Sequence, residues 1–159
     1  MAIDTSRVVM EMDPLVAVPL PPLAEPYCIR HYHGGDVEYW LAIHRDGDPY
    51  LDYPDASFAE QFGTDETELA ARQLYLCHDG EPVGTASAWF NPQYKDGSYG
   101  RIHYVAIRKK HQGKGLARPL VAQVMQVMMA LGHPRAYLTT QRMREVAIRI
   151  YASYGFVEV

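Results

Sequence analysis

The sequence predicts an α+β domain in which a mixed sheet is flanked by helices. Short apolar runs of strand length alternate with longer segments whose apolar residues recur at helical spacing. Two of these runs, 72–78 and 82–90, are separated by Asp79-Gly80, which is a strong signal for a β-hairpin. A third run, 102–107, leads into a helical pattern through a turn that contains two glycines. Strands and helices are therefore interleaved along one chain.

The first half of the chain is predicted to hold one strand and two or three helices. Residues 27–32 form an apolar run of strand length, and Gly34-Gly-Asp36 then introduces an amphipathic helix over 37–44. A polar loop with a proline follows at 46–55, and residues 56–71 are predicted to hold one or two short helices. The hairpin strands come next.

The second half is predicted to continue with a loop at 91–100, the strand that ends at Ile107, and a helix over 116–131. Residues 135–140 are a further strand. The last helix, over 143–154, has apolar residues at helical spacing, and Gly155 is well suited to end it. The predicted order is β-α-α-β-β-β-α-β-α-β.

Length and composition predict a single soluble domain. The 159 residues are 48% hydrophobic, enough for one ordinary core. Residues 1–26 contain five prolines and no signal-peptide pattern, so we expect an extended N-terminal arm before a domain at 27–159. No stretch approaches the ~20 apolar residues that cross a bilayer, so no membrane partner is expected. Cys28 and Cys77 lack metal-ligand spacing, which predicts buried, reduced thiols in the cytoplasm.

Charge is distributed unevenly along the chain. The first 96 residues hold 5 Lys and Arg against 17 Asp and Glu, a net charge of −12, and the remainder holds 10 against 2, a net charge of +8. The asymmetry suggests two partners of opposite sign, an anion for the basic half and a cation for the acidic half; solvated faces are the alternative. The overall acidity argues against nucleic acid as the partner of the basic run 108–111.

The turn after the strand 102–107 has the properties of an anion-binding loop. The first turn of the following helix has free backbone N–H groups and partial positive charge, and an anion can use both. Gly113 and Gly115 let a ligand approach the backbone, and Lys114 adds charge. Glycine pairs between a strand and a helix are also common in turns that bind nothing, so the loop alone does not establish a site.

Two nucleotide motifs are excluded by residue type. A P-loop would need glycine where this chain has Arg108, and a dinucleotide fingerprint would need glycine where it has Arg118. Residues Gln112 to Ala117, with Gly115 between them, instead match the pattern [Gln/Arg]-x-x-Gly-x-[Gly/Ala] position for position. In this the chain resembles the GNAT N-acetyltransferase superfamily, which binds the pyrophosphate of acetyl-CoA there.

The end of the chain carries a second, separate resemblance to the same superfamily. Ala147-x-x-Ile150-Tyr151-x-x-x-Gly155-Phe156 is similar to its other hallmark, on the last helix and the turn after it. Without that motif Tyr151 would be interpreted as a core aromatic. A register of the first motif that begins at Lys110 remains a less favoured alternative, because it puts lysine in the first position.

The resemblance covers roughly residues 27–159 and implies a three-layer α/β/α arrangement with a mostly antiparallel sheet. It implies direct transfer of an acetyl group from acetyl-CoA to the primary amine of a small molecule or peptide, without a metal ion. The cofactor-binding residues that it implies are Val105, Ala106, Ile107, Gln112, Gly113, Lys114, Gly115, Leu116, Ala117 and Arg118. Backbone N–H groups of the central strand, which the resemblance implies is splayed, would face the acetyl carbonyl. Tyr151 would act as general acid, since a phenol of pKa about 10 is protonated at neutral pH.

The general base is less clear, because this chain departs from the superfamily there. Some relatives have a carboxylate where this chain has Arg101. His103 lies on the same face of the strand, and its ordinary pKa of about 6.5 suits a base, although a histidine can also merely fill the sheet surface. Asp96 or a chain of water molecules are the other candidates, and His111 is a poorer one.

Two further departures concern the C-terminal region. Arg144 stands where the last-helix motif often has asparagine, which weakens a coenzyme contact there. Residues 156–159 leave little chain for a last strand, so three alternatives stay open: a short strand, a strand from a partner chain in a homodimer, or an incomplete chain.

The acceptor is expected to be a small, cationic amine, since rings and carboxylates attract cations. The candidate contacts are Trp40, His44, Tyr50, Asp52, Tyr53, Asp55 and Tyr94, although such residues are also ordinary in exposed loops. A non-catalytic acyl-CoA-binding regulatory domain is the alternative function, because it would need the glycine loop but not Tyr151.

Overall fold

The computed structural model describes residues 2–159, which form seven strands and five α-helices. The strands are β1 (Arg7–Met12), β2 (Tyr27–His31), β3 (Gln73–His78), β4 (Glu81–Phe90), β5 (Tyr99–Ile107), β6 (Arg135–Gln141) and β7 (Val157–Glu158). The helices are α1 (Val37–Gly47), α2 (Ser57–Phe62), α3 (Glu66–Arg72), α4 (Ala117–Ala130) and α5 (Glu145–Tyr154). The sheet order is β2-β3-β4-β5-β6-β1-β7, and every neighbouring pair is antiparallel except β5 and β6. The predicted mixed, mostly antiparallel sheet is confirmed.

The two faces of the sheet bury different hydrophobic clusters. Helices α1, α2 and α3 cover one face with a largely aromatic cluster that includes Trp40 and Phe58. Helices α4 and α5 cover the other with a mainly aliphatic cluster that includes Leu120 and Val124. Burial of each such large side chain stabilises the fold by roughly 1.5–3 kcal/mol, so both helical layers are held by their apolar faces. The predicted three-layer arrangement is confirmed.

Residues 7–12 belong to the sheet, whereas we expected them in an extended arm. Strand β1 pairs with β6 from Arg7↔Gln141 to Met12↔Ala136, and the side chains of Val8, Met10 and Met12 are buried. All five prolines that predicted an arm follow β1, so they do not affect strand pairing by residues 7–12. A proline removes a backbone hydrogen-bond donor from the sheet only at its own position.

The C-terminal residues add a short strand to the sheet, which is the first of the three alternatives. Strand β7 pairs with β1 at Met10↔Glu158 and Glu11↔Val157. Cys77 is buried as expected, but Cys28 is exposed because it lies on the edge strand β2. Among residues 2–159, no helix is both long enough and apolar enough to cross a membrane.

Candidate active site

A cleft opens in the middle of the sheet where β5 and β6 separate. The two strands pair only from Tyr99↔Arg135 to Arg101↔Tyr137, while β6 stays paired with β1 through Gln141. Beyond Arg101, one edge of β5 therefore faces a cleft instead of a neighbouring strand. This is the splayed strand that the family resemblance implied.

A β-bulge shapes the side of β5 that lies next to the cleft. The register of β4 and β5 shifts between Thr85↔Ala106 and Ser87↔His103, so β5 has one residue more than β4 there. Tyr104 takes up this residue with φ +50°, an uncommon conformation for a bulky side chain. The bulge places His103 and Tyr104 on the same face, with their ring centroids 4.4 Å apart.

Two cavities extend from the cleft and share part of their walls. Cavity 1, about 390 Å³, lies between residues 101–105 of β5, residues 138–141 of β6 and the α1–α2 region. Cavity 2, about 570 Å³, lies between the end of β5, the glycine turn and helix α5. The residues common to both walls are Asp48, Val105, Arg144, Ala147 and Tyr151. We call this shared region the junction.

The glycine turn in cavity 2 is fixed at its start by the side chain of Gln112. The amide nitrogen Nε2 of Gln112 donates to the carbonyl oxygen of Ile107 at 2.7 Å and to that of Gly47 at 3.1 Å. A Cβ on Gly47 would lie 2.3 Å from the Ile107 oxygen, so only glycine allows the end of α1 to approach β5 this closely. Gln112 thus joins the end of α1 to the end of β5.

The rest of the turn leaves its backbone open to cavity 2. Gly113 and Gly115 have φ +74° and +75°, and a Cβ on either would meet no atom within 4 Å. Helix α4 begins directly afterwards at Ala117, with Leu116 at its N-cap and no side-chain cap. The first helical N–H groups therefore point towards open space that suits an anion.

Eight of the ten predicted cofactor-binding residues line cavity 2. They are Val105, Ala106, Ile107, Gln112, Gly113, Gly115, Leu116 and Ala117. Lys114 and Arg118 are exposed beside the turn and lie outside the lining. The guanidinium carbon of Arg118 lies 5.5 Å from the centroid of the Tyr154 ring.

The junction contains a partly buried ion pair that the sequence analysis missed. A guanidinium nitrogen of Arg144 contacts both carboxylate oxygens of Asp48, at 3.1 and 3.2 Å. The Tyr53 hydroxyl and the Tyr50 backbone N–H also donate to Asp48, at 2.5 and 3.0 Å. Burial raises the pKa of Asp48, but these hydrogen bonds and the charge of Arg144 outweigh it, so the carboxyl pKa lies below its usual range.

Only an indirect sign of the pair between Arg144 and Asp48 is present in the sequence. Arg144 departs from the last-helix motif, and Asp48, 96 residues earlier, belongs to no motif. The ion pair explains the departure, because Arg144 is committed to a carboxylate at the end of α1. No local signal indicates such a distant partner.

Tyr151 stands in the junction with its side chain almost fully buried. Burial raises its pKa to about 12, although the nearby charge of Arg144 acts in the opposite direction. The phenol is therefore protonated at neutral pH and faces both cavities. Its ring also packs edge-on against Phe156, with centroids 6.3 Å apart.

Two buried histidines form part of the wall of cavity 1. Burial lowers the pKa of His103 to about 3, and the nearby charge of Arg101 acts in the same direction. Burial likewise lowers the pKa of His44 to about 3. Nε2 of His103 lies 3.3 Å from Oε1 of Gln61. Both imidazoles are thus neutral near pH 7.

The other candidates for the base lie away from the junction. Asp96 is held by Ser98, whose backbone N–H and hydroxyl lie 3.0 and 2.6 Å from its Oδ1, and it lines neither cavity. His111 lines cavity 2, but its Nδ1 lies 2.7 Å from the hydroxyl of Tyr27. His111 therefore packs as part of the fold.

The predicted acceptor contacts are only partly brought together. His44 and Tyr53 line cavity 1, and Tyr50 lines cavity 2. The other four lie outside both linings: Trp40 is buried against His44, Tyr94 stacks on Tyr137, and Asp52 and Asp55 are exposed. The lining residues of cavity 1 that this expectation missed include Asp48, Gln61, Thr139 and Thr140.

Part of the charge asymmetry is neutralised within the fold. Basic residues of the second half pair with acids of the first half, at 3.1 Å for Arg144 and Asp48 and at 3.5 Å for Arg108 and Asp46. Arg135 also lies 3.5 Å from Asp96. The asymmetry by itself therefore does not require two partners of opposite sign.

Comparison with known proteins places this geometry in a family. The sequence model of the Acetyltransferase (GNAT) family matches residues 37–156. A GCN5-related N-acetyltransferase structure from Sphaerobacter thermophilus is similar at 18% identity and a TM-score of 0.77, over 98% of this chain and 49% of that one. This chain thus spans about half the length of that protein. A search of curated proteins finds no match.

Two smaller solved structures match most of their own length. The ribosomal-protein-S18-alanine N-acetyltransferase of Escherichia coli shares 18% identity at a TM-score of 0.68, over 84% of this chain and 79% of that one. The diaminobutyrate acetyltransferase of Paenibacillus lautus, in complex with L-2,4-diaminobutyric acid and coenzyme A, shares 19% identity at a TM-score of 0.66, over 80% and 74%. At these identities the structures establish a shared fold.

Proposed function

The chain belongs to the Acetyltransferase (GNAT) family, and we propose that it moves an acetyl group from acetyl-CoA to the primary amine of a small molecule or peptide. One observation carries the proposal: two cavities meet at a buried, protonated tyrosine beside an unpaired strand edge. Two substrates that enter from different cavities would have their reacting atoms held together at the junction, which favours direct transfer.

The donor would occupy cavity 2. The pyrophosphate of acetyl-CoA would bind at the open backbone between Gly113 and Ala117, with Lys114 and Arg118 adding positive charge from outside. The thioester would reach the unpaired edge of β5 between Val105 and Ile107. Coenzyme A in the diaminobutyrate acetyltransferase of the same fold supports this choice of donor. We propose no metal ion for the reaction.

The bonds change at the junction. The amine nitrogen forms a bond to the acetyl carbon, the carbon–sulfur bond breaks, and the coenzyme thiolate takes a proton. We propose Tyr151 as the donor of that proton, because its raised pKa keeps it protonated. The same burial would raise the pKa of the thiolate and so ease the transfer.

The amine must lose a proton, and two candidates for the base remain in cavity 1. One is His103, as the sequence indicated, and the other is water. A histidine whose pKa is lowered to about 3 holds a proton poorly, which favours water. Asp96 lines neither cavity, which argues against it as the base.

The acceptor amine would enter through cavity 1 as a cation. Asp48 is the one carboxylate in the lining of that cavity, and it lies at the junction, so it is the negative group that an ammonium group would meet there, although Arg144 offsets its charge. A small acceptor suits a cavity of about 390 Å³. The cytoplasmic location and the homodimer remain predictions.

The proposal is tested first by thermal shift with acetyl-CoA, then by thiol release over a panel of amines. We expect acetyl-CoA to raise the melting temperature and at least one amine to accelerate thiol release. Absence of stabilisation by acetyl-CoA would overturn both this proposal and the alternative of a non-catalytic regulator. Stabilisation without turnover would favour the regulator.

Tyr151→Phe tests the assigned acid. Because this change removes only the hydroxyl, we expect kcat to fall at least tenfold while the affinity for acetyl-CoA stays within a few-fold. If Tyr151 acts at the full effect of a general acid, the fall in kcat should reach about 10²–10⁴-fold. Tyr154→Phe is the matched control, since its hydroxyl donates to the backbone oxygen of Arg118 outside the junction. An unchanged rate in Tyr151→Phe would remove the residue from catalysis.

A further inference from the structure

Cavity 1 contains a guanidinium group without a carboxylate partner. Arg101 lines the cavity on β5, and its Nη2 donates to the hydroxyl of Thr139 at 3.2 Å. Its Nε is buried and has no hydrogen-bond partner among residues 2–159. The guanidinium carbon also lies 5.5 Å from the centroid of the Tyr137 ring. The side chain is thus held in place while part of its hydrogen-bonding capacity is unused.

The rest of the lining does not neutralise this charge. Asp48 is the only carboxylate that lines cavity 1, and it is already paired with Arg144. The two imidazoles, His44 and His103, are neutral near pH 7. The lining therefore has one positive charge in excess. A partly buried charge without a partner is unfavourable, so the cavity favours a ligand that brings a negative charge.

The excess charge lies at a distance from the junction. Arg101 is at the last paired position of β5 and β6, whereas Val105, which lines both cavities, is four positions further along β5. At the rise of an extended strand this separates their Cα atoms by about 13 Å or less, since the bulge at Tyr104 shortens the path. The one carboxylate of cavity 1, Asp48, thus lies at the junction end, and the unpaired guanidinium of Arg101 lies at the other end, which suits an anion.

We infer that the acceptor is a small amino acid or a similar compound, whose carboxylate binds Arg101 while its amine reaches the junction. This inference rests on the proposed acetyl transfer and adds the chemical class of the acceptor. A carboxylate fits a planar guanidinium through paired hydrogen bonds, and one unpaired guanidinium matches one negative charge. The hydroxyl of Thr140 and the amide of Gln61 line the same cavity and offer further polar contacts.

The test compares acceptors that differ only in the carboxylate. Initial rates of thiol release from acetyl-CoA would be measured with the common α-amino acids, β-alanine and γ-aminobutyrate, each against the amine in which hydrogen replaces the carboxylate. We expect kcat/KM to be higher for the best carboxylate-bearing acceptor by about 10- to 100-fold, as for a hydrogen bond to a charged group. O-Phosphoethanolamine tests a phosphate in place of the carboxylate.

Variants then assign the effect to the arginine. Arg101→Met should lower kcat/KM for the carboxylate-bearing acceptor by a similar factor and leave its matched amine within about threefold. Arg149→Met, which removes the same charge from an exposed position outside both cavities, should change neither. Titration of the N-acetylated products into the enzyme with coenzyme A provides a readout that does not depend on turnover.

The outcomes separate this inference from the proposed function. Equal wild-type rates with and without the carboxylate, a preference for the phosphate compound, or an equal loss in both series for Arg101→Met would each overturn the inference and leave acetyl transfer standing. Absence of turnover with every amine would overturn the proposed function. In that case the product titration still tests the inference about the acceptor. Equal affinity of the enzyme for N-acetylated products with and without the carboxylate would overturn that inference. The wild-type comparison stands even if Arg101→Met fails to fold.

Discussion

The ion pair between Asp48 and Arg144 connects the end of α1 to the residue before α5. The side chain of Asp48 is 6% exposed and that of Arg144 is 24% exposed, so water screens the pair only partly. Asp48→Asn keeps the shape of the side chain but removes its charge, which leaves the arginine and the Tyr53 hydroxyl with a weaker acceptor. The loss therefore combines an ion pair with a buried hydrogen bond.

The expected loss of stability follows from these contacts. Removal of one partner of a fully buried pair costs about 3–5 kcal/mol, and the exposure of Arg144 reduces this to roughly 2–3 kcal/mol. For a chain of this size, that corresponds to a fall in melting temperature of about 4–12 °C. Urea unfolding of the wild type and of Asp48→Asn measures the difference directly.

An exposed ion pair gives the matched control. Asp55 forms a pair with Arg45 at 2.8 Å, but its side chain is 94% exposed. Asp55→Asn should therefore change the free energy of unfolding by less than about 1 kcal/mol. A double-mutant cycle of Asp48→Asn with Arg144→Met should give a coupling energy of about 1–3 kcal/mol. If Asp48→Asn cost no more than Asp55→Asn, the pair would not hold the junction together.

The remaining predictions concern the end of α1 and the histidine of cavity 1. Gly47→Ala should weaken acetyl-CoA binding at least tenfold and lower the melting temperature, because the new Cβ would lie 2.3 Å from the Ile107 oxygen. Gly34→Ala is the control, since a Cβ there would meet no atom within 4 Å. Equal affinities of the two variants for acetyl-CoA would contradict the prediction. The folded pKa of His103 lies below its usual value, so the unfolded chain binds more protons and stability falls as pH drops from about 6.5 towards 3. His103→Gln should flatten this dependence by about 1.4 kcal/mol per pH unit at most, measured by urea unfolding at several pH values, and an unaltered slope would show that His103 is not buried as described.

Local signals in the sequence predicted much of the donor side of the site. The turn from Gln112 to Ala117 is contiguous, so the residue types that form it stand next to one another in the chain. The hairpin at Asp79-Gly80 and the helix end at Gly155 are also local, and all three are found in the structure. Turns and helix ends are set by neighbouring residues, which explains why they could be predicted.

Features that depend on distant partners could not be predicted in the same way. Strand β1 owes its place to pairing with β6, which lies more than a hundred residues later, and its own residues give no sign of that partner. No glycine marks the bulge at Tyr104 in the sequence. The positive φ of this residue instead depends on the surrounding aromatic rings and strands. The predicted acceptor contacts come from α1 and two loops, whereas the wall of cavity 1 is assembled from α1, α2, β5, β6 and α5 together with the loop after α1.

The junction also makes the two substrate sites interdependent. Asp48 is held by Tyr53 on the side of cavity 1 and by Arg144, whose guanidinium lies over the ring of Tyr50 on the side of cavity 2. A ligand that shifts Arg144 in cavity 2 would change the field that Asp48 presents to an amine in cavity 1. Binding of coenzyme and acceptor should therefore be coupled through this pair, and Asp48→Asn should reduce the coupling as well as the stability.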